Sequence, residues 1–369
     1  MPNSAAWASS PALLVYTRCG FEHDAAAELA ERTNEAGVHG FCRAHPNDGL
    51  VEFRTHDDTP VVPVFAALDF TSLVFVRQWL AGPGWLPPLP AQNRLAPLLQ
   101  TLPAGASYAD LWLEYPDTNA GKTLSRFCRR FTGAVRQALQ QQGAFSDDAG
   151  YRLHLLFSDS ATVFPGIAPV ANSSPWPLGI PRLRMPVQAP SRSTLKLEEA
   201  LLTLLGSAER ERLLRPGRTA VDLGAAPGGW TWQLARRGLR VTAVDNGPMD
   251  AALMDLGLVD HQRVDGFRFR PRRPVDWMVC DMVERPSRIV PLMSRWLVRG
   301  DCHQAVFNLK LPMKRRYATV RDGLQQLHDE LHRAGRVMSI RCKQLYHDRE
   351  EVTVCVIPTR RSPRPVRSR

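Results

Sequence analysis

Lysine is scarce in this 369-residue chain: there are five, at positions 122, 196, 310, 314 and 343, against 42 arginines. Where positive charge alone suffices, the chain uses arginine. A lysine in a distinctive setting is therefore informative, because only its amine can lose a proton at accessible pH. Cysteine is also sparse. The seven cysteines are odd in number, no two are closer than thirteen residues, and none forms a Cys-x-x-Cys or Cys/His ligand spacing. That excludes a disulfide framework and a structural zinc site, and no metal is expected. No apolar run approaches the roughly 18–20 residues that span a bilayer. No apolar segment of a secretory leader follows a basic amino terminus. There is no internal repeat. These absences predict a soluble cytoplasmic protein with no membrane partner.

Charge is present but unevenly placed. The chain carries +11 in total, yet residues 1–190 hold 14 Lys+Arg against 16 Asp+Glu, and residues 191–369 hold 33 against 20. The basic excess thus belongs to the second half, which points to a polyanionic partner, nucleic acid above all.

The first ten residues (MPNSAAWASS) are small and polar and are expected to be disordered. Ala12–Tyr16, 49–53 and 72–76 read as strands, with helices over 21–36 and 61–68, a β-α-β-α-β order that predicts a ferredoxin-like unit over 11–80. A second unit, 91–172, has strands at 109–114 and 151–157. Between them runs a helix over 124–142 bearing Arg126, Arg129, Arg130 and Arg136. Seven prolines between Pro165 and Pro190 block long helices and central strands, so a linker or β-edge segment is expected, with 173–190 as the linker. From 191 to 357 strands (219–223, 239–244, 276–280, 305–309, 352–357) alternate with helices (197–205, 230–237, 320–334). That grammar predicts an α/β domain with a mostly parallel, doubly wound, Rossmann-like sheet. Residues 358–369, with five arginines and three prolines, read as a disordered basic tail.

The strongest local motif is Ala220-Val-Asp-Leu-Gly-Ala-Ala-Pro-Gly-Gly-Trp230. It leaves a strand, turns at Gly224 and enters a helix after Gly229, glycines allowing close backbone approach to a ligand. The next strand ends in Asp245, 21 residues past Gly224, where an α/β nucleotide site places an acid for the ribose hydroxyls. A nicotinamide dinucleotide would call for spaced glycines that admit a pyrophosphate. This loop instead has Asp222 two residues before its first glycine and nothing adapted to an anion. An acidic, proline-shaped loop suits S-adenosyl-L-methionine better, since that cofactor has a cationic sulfonium and no phosphate. Asp265 is a third acid, placed to meet the adenine.

Four more polar residues sit at strand or helix ends where an apolar pattern stops. Lys310 closes Ala305-Val-Phe-Asn-Leu-Lys310, and Asp281 closes Trp277-Met-Val-Cys-Asp281. Glu351 opens the last strand, and Lys196 begins a helix with a leucine stripe. Ligands in this architecture bind at the carboxyl ends of strands. At this point the sequence resembles a known group. Residues 190–357 look like an FtsJ-type ribose 2′-O-methyltransferase, whose signature is a Lys-Asp-Lys-Glu tetrad. The segments are Ser193-Thr-Leu-Lys196, Cys280-Asp281-Met, Asn308-Leu-Lys310 and Glu351-Val-Thr-Val, with Glu350 as the neighbouring choice for the glutamate. With Asp245-Asn-Gly-Pro248, Asn308-Leu-Lys-Leu-Pro-Met-Lys314 and Tyr346-His-Asp-Arg-Glu-Glu351, the whole chain is similar to the RlmM family.

That resemblance implies an S-adenosyl-L-methionine-dependent enzyme that methylates the ribose 2′-oxygen of a specific cytidine in 23S ribosomal RNA. It also implies a THUMP-like RNA-binding unit over 91–172. Lys310, Asp281, Lys196 and Glu351 would be catalytic, with Lys310 accepting the hydroxyl proton. Ser193, Ala226, Pro227, Gly228, Gly229, Asp245, Asp265 and Asp281 would hold the cofactor. Arg268, Arg270, Arg272, Arg273, Lys314, Arg315 and Arg316 would attract RNA. The alternatives are a 2′-O-methyltransferase for another RNA, a noncatalytic rRNA-binding assembly factor, and a nicotinamide-dependent oxidoreductase.

Overall fold

A computed structural model describes residues 7–57 and 59–359, so the basic tail lies outside the described residues apart from its first two positions. The chain divides into two compact units, one ending at Pro181 and the other beginning at Arg182.

In the first unit, β1 (Ala12–Tyr16) is apolar throughout and buried on both faces. The chain continues through α1 (Glu22–Glu35), β2 (Gly40–Ala44), β3 (Leu50–Thr55), α2 (Val64–Ala67) and β4 (Gln78–Gly82). The antiparallel order β2-β3-β1-β4 and the βαββαβ succession form the ferredoxin-like arrangement. Two strand expectations need correction. Residues 72–76 are apolar but form no strand. The backbone N–H groups of Val74 and Phe75 donate to the buried Glu28 carboxylate at 2.5 and 2.8 Å, so a side chain takes the place of a ladder. The strand falls instead on Gln78–Gly82. β2 escapes a pattern reading because it is a half-exposed edge strand containing no apolar run.

The same sheet continues through β5 (Leu111–Glu114), β6 (Tyr151–Phe157) and β7 (Val163–Pro169), in the order β4-β7-β6-β5. α3 (Ser125–Gln141) packs its buried Cys128, Val135 and Leu139 beneath it. β7 carries Pro165 and Pro169 yet lies between two strands, which corrects the edge assignment. It tolerates them because its pairing with β4 is reduced to Ala81 opposite Ile167. Residues 173–181 are packed rather than a free linker. The Ser174 carbonyl accepts from Gln78 and Arg152 at 3.2 and 3.3 Å, and the Leu178 amide donates to Glu114 at 2.5 Å.

The expected disorder of the first ten residues also fails from residue 7 onward; residues 1–6 lie outside the described residues. Trp7 is only 4% exposed and donates its indole N–H to the Tyr108 hydroxyl at 3.3 Å, because a single indole offers enough apolar area to hold the segment down. Trp7→Ala is expected to cost about 3–5 kcal/mol, the range for emptying a buried aromatic site. Chemical denaturation of the full chain followed by a first-unit fluorescence probe would check this.

The second unit is a seven-stranded sheet built from β8 (Thr219–Leu223), β9 (Arg240–Val244), β10 (Val259–Gln262), β11 (Val275–Cys280), β12 (Cys302–Lys310), β13 (Met338–Lys343) and β14 (Glu351–Pro358). Its order is β10-β9-β8-β11-β12-β14-β13, parallel except for the pairings made by β14. The order reverses between β8 and β11, which opens a crevice at their carboxyl ends. The two strands absent from the sequence reading, β10 and β13, are the sheet's edges. Its helices include α4 (Thr194–Leu204), α5 (Gly229–Ala235), α6 (Pro286–Arg299) and α7 (Arg316–Arg333). Trp230, Trp277, Leu197, Leu201 and Leu234 lie in the core packed on one face of this sheet.

Candidate active site

The turn after β8 is shaped by close approach. Gly224 has φ +78°, and a Cβ there would meet the Met282 side chain at 2.6 Å. Gly228 has φ +116° and would meet Leu253 at 2.3 Å, while a Cβ on Gly229 would lie 2.1 Å from the Ser193 hydroxyl. The loop therefore accepts only glycine at these positions and holds Ser193, at the start of α4, against its own backbone. Asp245, just past β9, accepts from the amides of Ala226 and Gly247 at 3.1 and 2.7 Å, which ties it to the same loop. Asp265 follows β10, half-exposed, and accepts from the Phe267 amide at 2.9 Å. Asp222 lies beneath the loop, fully buried, bonded to the Thr231 hydroxyl at 2.6 Å. Burial pushes its carboxyl up to about 7; the Thr231 hydrogen bond opposes the rise and the charge of Asp281 adds to it.

On the other side of the switch point four side chains converge. β14 runs antiparallel to β12, so Glu351 at its start stands opposite Lys310 at the end of β12. Lys310 Nζ donates to Asp281 Oδ1 at 2.8 Å and to Glu351 Oε2, while Lys196 Nζ lies 3.3 Å from Asp281 Oδ2 and contacts Glu351 Oε1. Each lysine thus spans both carboxylates. Burial alone would lower the Lys310 amine, but Asp281 and Glu351 outweigh it and hold the ammonium above its usual range. Glu350 points elsewhere: it pairs with Arg316 at 2.8 Å and its side chain is 63% exposed, against 5% for Glu351.

Residues to which the sequence assigned no role support this cluster. Asn308 donates to Asp281 at 2.8 Å and accepts from Thr353 at 2.7 Å. Asp348 is buried and bonded to Thr353. Glu199 of α4 accepts from the amides of Tyr346 and His347 at 2.8 and 2.9 Å, fastening the helix that carries Lys196 to the loop that precedes Glu351. The available signal is a polar residue inside an apolar strand, as at Asn308 and Asp222.

A cavity of about 590 Å³ lies beside Lys310, between the loops that follow β11 and β12, with Val283, Pro286, Leu311 and Pro312 as its apolar lining. Of the basic residues singled out above, Arg270 and Arg316 are drawn into pairs with Asp301 and Glu350, and Arg268 lies near Asp265. Arg272, Arg273, Lys314 and Arg315 are exposed. Among the described residues no group of three or more His, Cys, Asp or Glu is placed to hold a metal ion, and no helix is long and apolar enough to cross a membrane.

Comparison with known proteins gives the family of the chain. Residues 189–298 match the model of FtsJ-like methyltransferases, which sets the class: an S-adenosyl-L-methionine-dependent methyltransferase with a Rossmann-like catalytic domain. Residues 11–80 match the RlmM ferredoxin-like domain, and 93–168 match the N-terminal model of ribosomal RNA large subunit methyltransferase M. Proteins of that name from Pseudomonas aeruginosa (strain LESB58) and Azotobacter vinelandii are each 50% identical to this chain. The alignments cover 92% of this chain and 97% of the first relative, and 94% and 98% for the second. The Stenotrophomonas maltophilia protein is 47% identical over 94% of this chain and 97% of its own length. The chain belongs to the ribosomal RNA large subunit methyltransferase M family. Among solved structures, TrmN from Thermus thermophilus aligns over 94% of this chain and 99% of its own at 16% identity and a TM-score of 0.33.

Proposed function

We propose that this protein methylates the ribose 2′-oxygen of a cytidine in 23S ribosomal RNA. The observation that carries the reading is the convergence of Lys196, Asp281, Lys310 and Glu351 beside a glycine-shaped loop. The residues around that loop fit the cofactor. Asp245 and Asp265 stand just past the carboxyl ends of the neighbouring strands β9 and β10 and give that side of the loop negative charge, which suits a cationic sulfonium better than a pyrophosphate; Asp222 is buried with its carboxyl raised, and Asp281 is paired with both lysines. Ser193, the Ala226-Pro227-Gly228-Gly229 turn, Asp245, Asp265 and Asp281 would hold it. When bound, S-adenosyl-L-methionine supplies an activated methyl group on a sulfonium.

The chain's own residues supply the rest. A ribose hydroxyl is a weak acid and a poor nucleophile, so its oxygen needs alignment and a proton acceptor. Lys310 in its neutral form accepts the 2′-OH proton. Asp281 orients the amine through its 2.8 Å contact, while Lys196 and Glu351 hold the hydroxyl and balance charge. Asp281 and Glu351 keep the resting amine protonated, so turnover rises with pH as that proton is lost. The apolar cavity beside Lys310 takes the target nucleoside; its volume falls within the roughly 300–1,000 Å³ of small-ligand pockets. Entry requires the nucleotide to be splayed from its helix, which places the target in a single-stranded or locally opened segment. Exposed Lys314 and Arg315, on the loop after Lys310, provide charge for the flanking phosphates.

The test is methyl transfer from labelled S-adenosyl-L-methionine to a 23S transcript by the full chain, followed by digestion to nucleosides. The expected product is 2′-O-methylcytidine; a base-methylated nucleoside, or none, would overturn the reading. Equilibrium binding should favour S-adenosyl-L-methionine over a nicotinamide dinucleotide.

A further inference from the structure

We infer that Asn308, Thr353 and a protonated Asp348 form a buried positioning chain that holds Asp281 and thereby tunes the proton affinity of Lys310. The inference rests on the proposed role of Lys310, and none of the three residues has a contact with the nucleoside cavity. All three are fully buried, and Asn308 and Thr353 face each other across the β12–β14 pairing.

Hydrogen counting gives the chain its direction. Asn308 stands 2.8 Å from Asp281 Oδ1, where a carboxylate demands a donor, so its amide N–H₂ faces that side. Its carbonyl oxygen then faces the Thr353 hydroxyl at 2.7 Å and must accept the only hydrogen that hydroxyl has. The Thr353 oxygen lies 3.2 and 3.0 Å from the two oxygens of Asp348. With its own hydrogen already committed, it can only accept there, so Asp348 must be the donor. Asp348 Oδ2 accepts from the Leu345 amide at 3.0 Å, which leaves Oδ1 to carry the proton. Reversing the direction would set oxygen lone pairs against each other at 2.7 Å.

The surroundings agree. Burial raises the Asp348 carboxyl well above its ordinary value; Glu351 on β14 and Glu199 on α4 add to the rise, while the Leu345 amide and Lys196 oppose it. The chain has a consequence for Lys310. Asn308 and Lys310 donate to the same oxygen, Asp281 Oδ1, both at 2.8 Å. The amide donor therefore weakens the grip of Asp281 on the lysine proton. A fixed Asn308 lowers the Lys310 amine relative to a site without it, in the direction a base requires.

The variants separate this from a merely structural role. Asp348→Asn replaces the acid O–H with an amide N–H and should leave kcat and its pH profile unchanged. Thr353→Ser should also preserve both. Asn308→Ala and Thr353→Val should shift the rising limb of kcat against pH upward by about one unit, a tenfold loss of neutral amine at fixed pH, with KM for cofactor and RNA unchanged. A loss of kcat without a pH shift in these two would overturn the inference, as would an Asp348→Asn variant as impaired as Asp348→Ala.

A readout independent of activity keeps failure here distinct from failure of the base assignment. A carboxyl protonated only in the fold contributes stability below its unfolded value, and that contribution is lost as pH rises toward its folded value. The Tm of the wild type should therefore fall relative to Asp348→Asn as pH rises from about 4, the ordinary carboxyl value, toward neutrality. A pH-independent difference would show an ionised Asp348 and end the inference, while leaving the proposed function standing.

Discussion

Lys310→Ala should lower methyl transfer by about 10²–10⁴-fold, the range for loss of a general acid–base group, while binding of S-adenosyl-L-methionine persists. The expectation follows from where the amine sits. Lys310 closes the central strand β12, and its Nζ is held by Asp281 and Glu351, at the edge of the apolar cavity. Asp281, the proposed cofactor contact that touches Lys310, keeps Asn308 and Lys196 as partners when the amine is lost, and the contacts proposed for the other side of the switch point do not depend on it. Lys310→Arg should not restore turnover: a guanidinium keeps charge and hydrogen bonds but cannot lose a proton at accessible pH. Single-turnover assays at saturating cofactor and RNA, with cofactor affinity measured separately, read both halves. Near-wild-type turnover in both variants would end the base assignment and leave alignment as the site's main contribution.

The second large effect distinguishes two adjacent glutamates. Glu351→Ala removes a nearly buried carboxylate that both Lys196 and Lys310 contact, leaving two ammonium groups to share Asp281. Removing one partner of a buried ion pair typically costs about 3–5 kcal/mol. The variant should lose most of its turnover and melt at lower temperature. Glu350→Ala removes an exposed partner of Arg316, and exposed pairs contribute roughly 0–1 kcal/mol, so its turnover and Tm should stay near wild type. Thermal melting and turnover of the two variants in parallel check the contrast. Equal damage from both would mean that the register pairing Lys310 with Glu351 does not describe the working site.

How much of this was legible in the sequence depended on whether the cause was local. The glycine turn after β8 was legible because Gly224, Gly228 and Gly229 serve local needs: two adopt positive φ, and all three admit no Cβ. Lys310, Asp281 and Glu351 were legible because each interrupts an apolar strand at its end, where the doubly wound topology brings ligands. Lys196 was legible through its resemblance to a known motif. The failures have distant causes. Residues 72–76 have a strand's composition, but Glu28, more than forty positions earlier, claims their amides. Trp7 sits in a polar stretch and is ordered by Tyr108, 101 positions later. Pro165 and Pro169 argued against an interior strand until β7 was seen to meet β4 at a single residue pair. Asn308 lies in the Asn308-Leu-Lys310 motif, yet its partner is distant in sequence: Thr353, which β14 places opposite it.

The charge asymmetry changed meaning in the same way. The basic excess of the second half includes arginines bound to neighbouring acids, such as Arg270 with Asp301, Arg316 with Glu350 and Arg341 with Glu209. The charge available for RNA is therefore narrower than the total, with Arg272, Arg273, Lys314 and Arg315 among its exposed members.

The proposed reaction is methylation of a ribose 2′-oxygen of a cytidine in large-subunit ribosomal RNA. It is tested most directly by mapping 2′-O-methyl groups across 23S RNA from cells with the gene, without it, and complemented by wild type or Lys310→Ala. One 2′-O-methylcytidine should disappear on deletion, return with the wild type and stay absent with Lys310→Ala. An unchanged 2′-O-methyl map after deletion, or the loss of a base methylation instead, would contradict it.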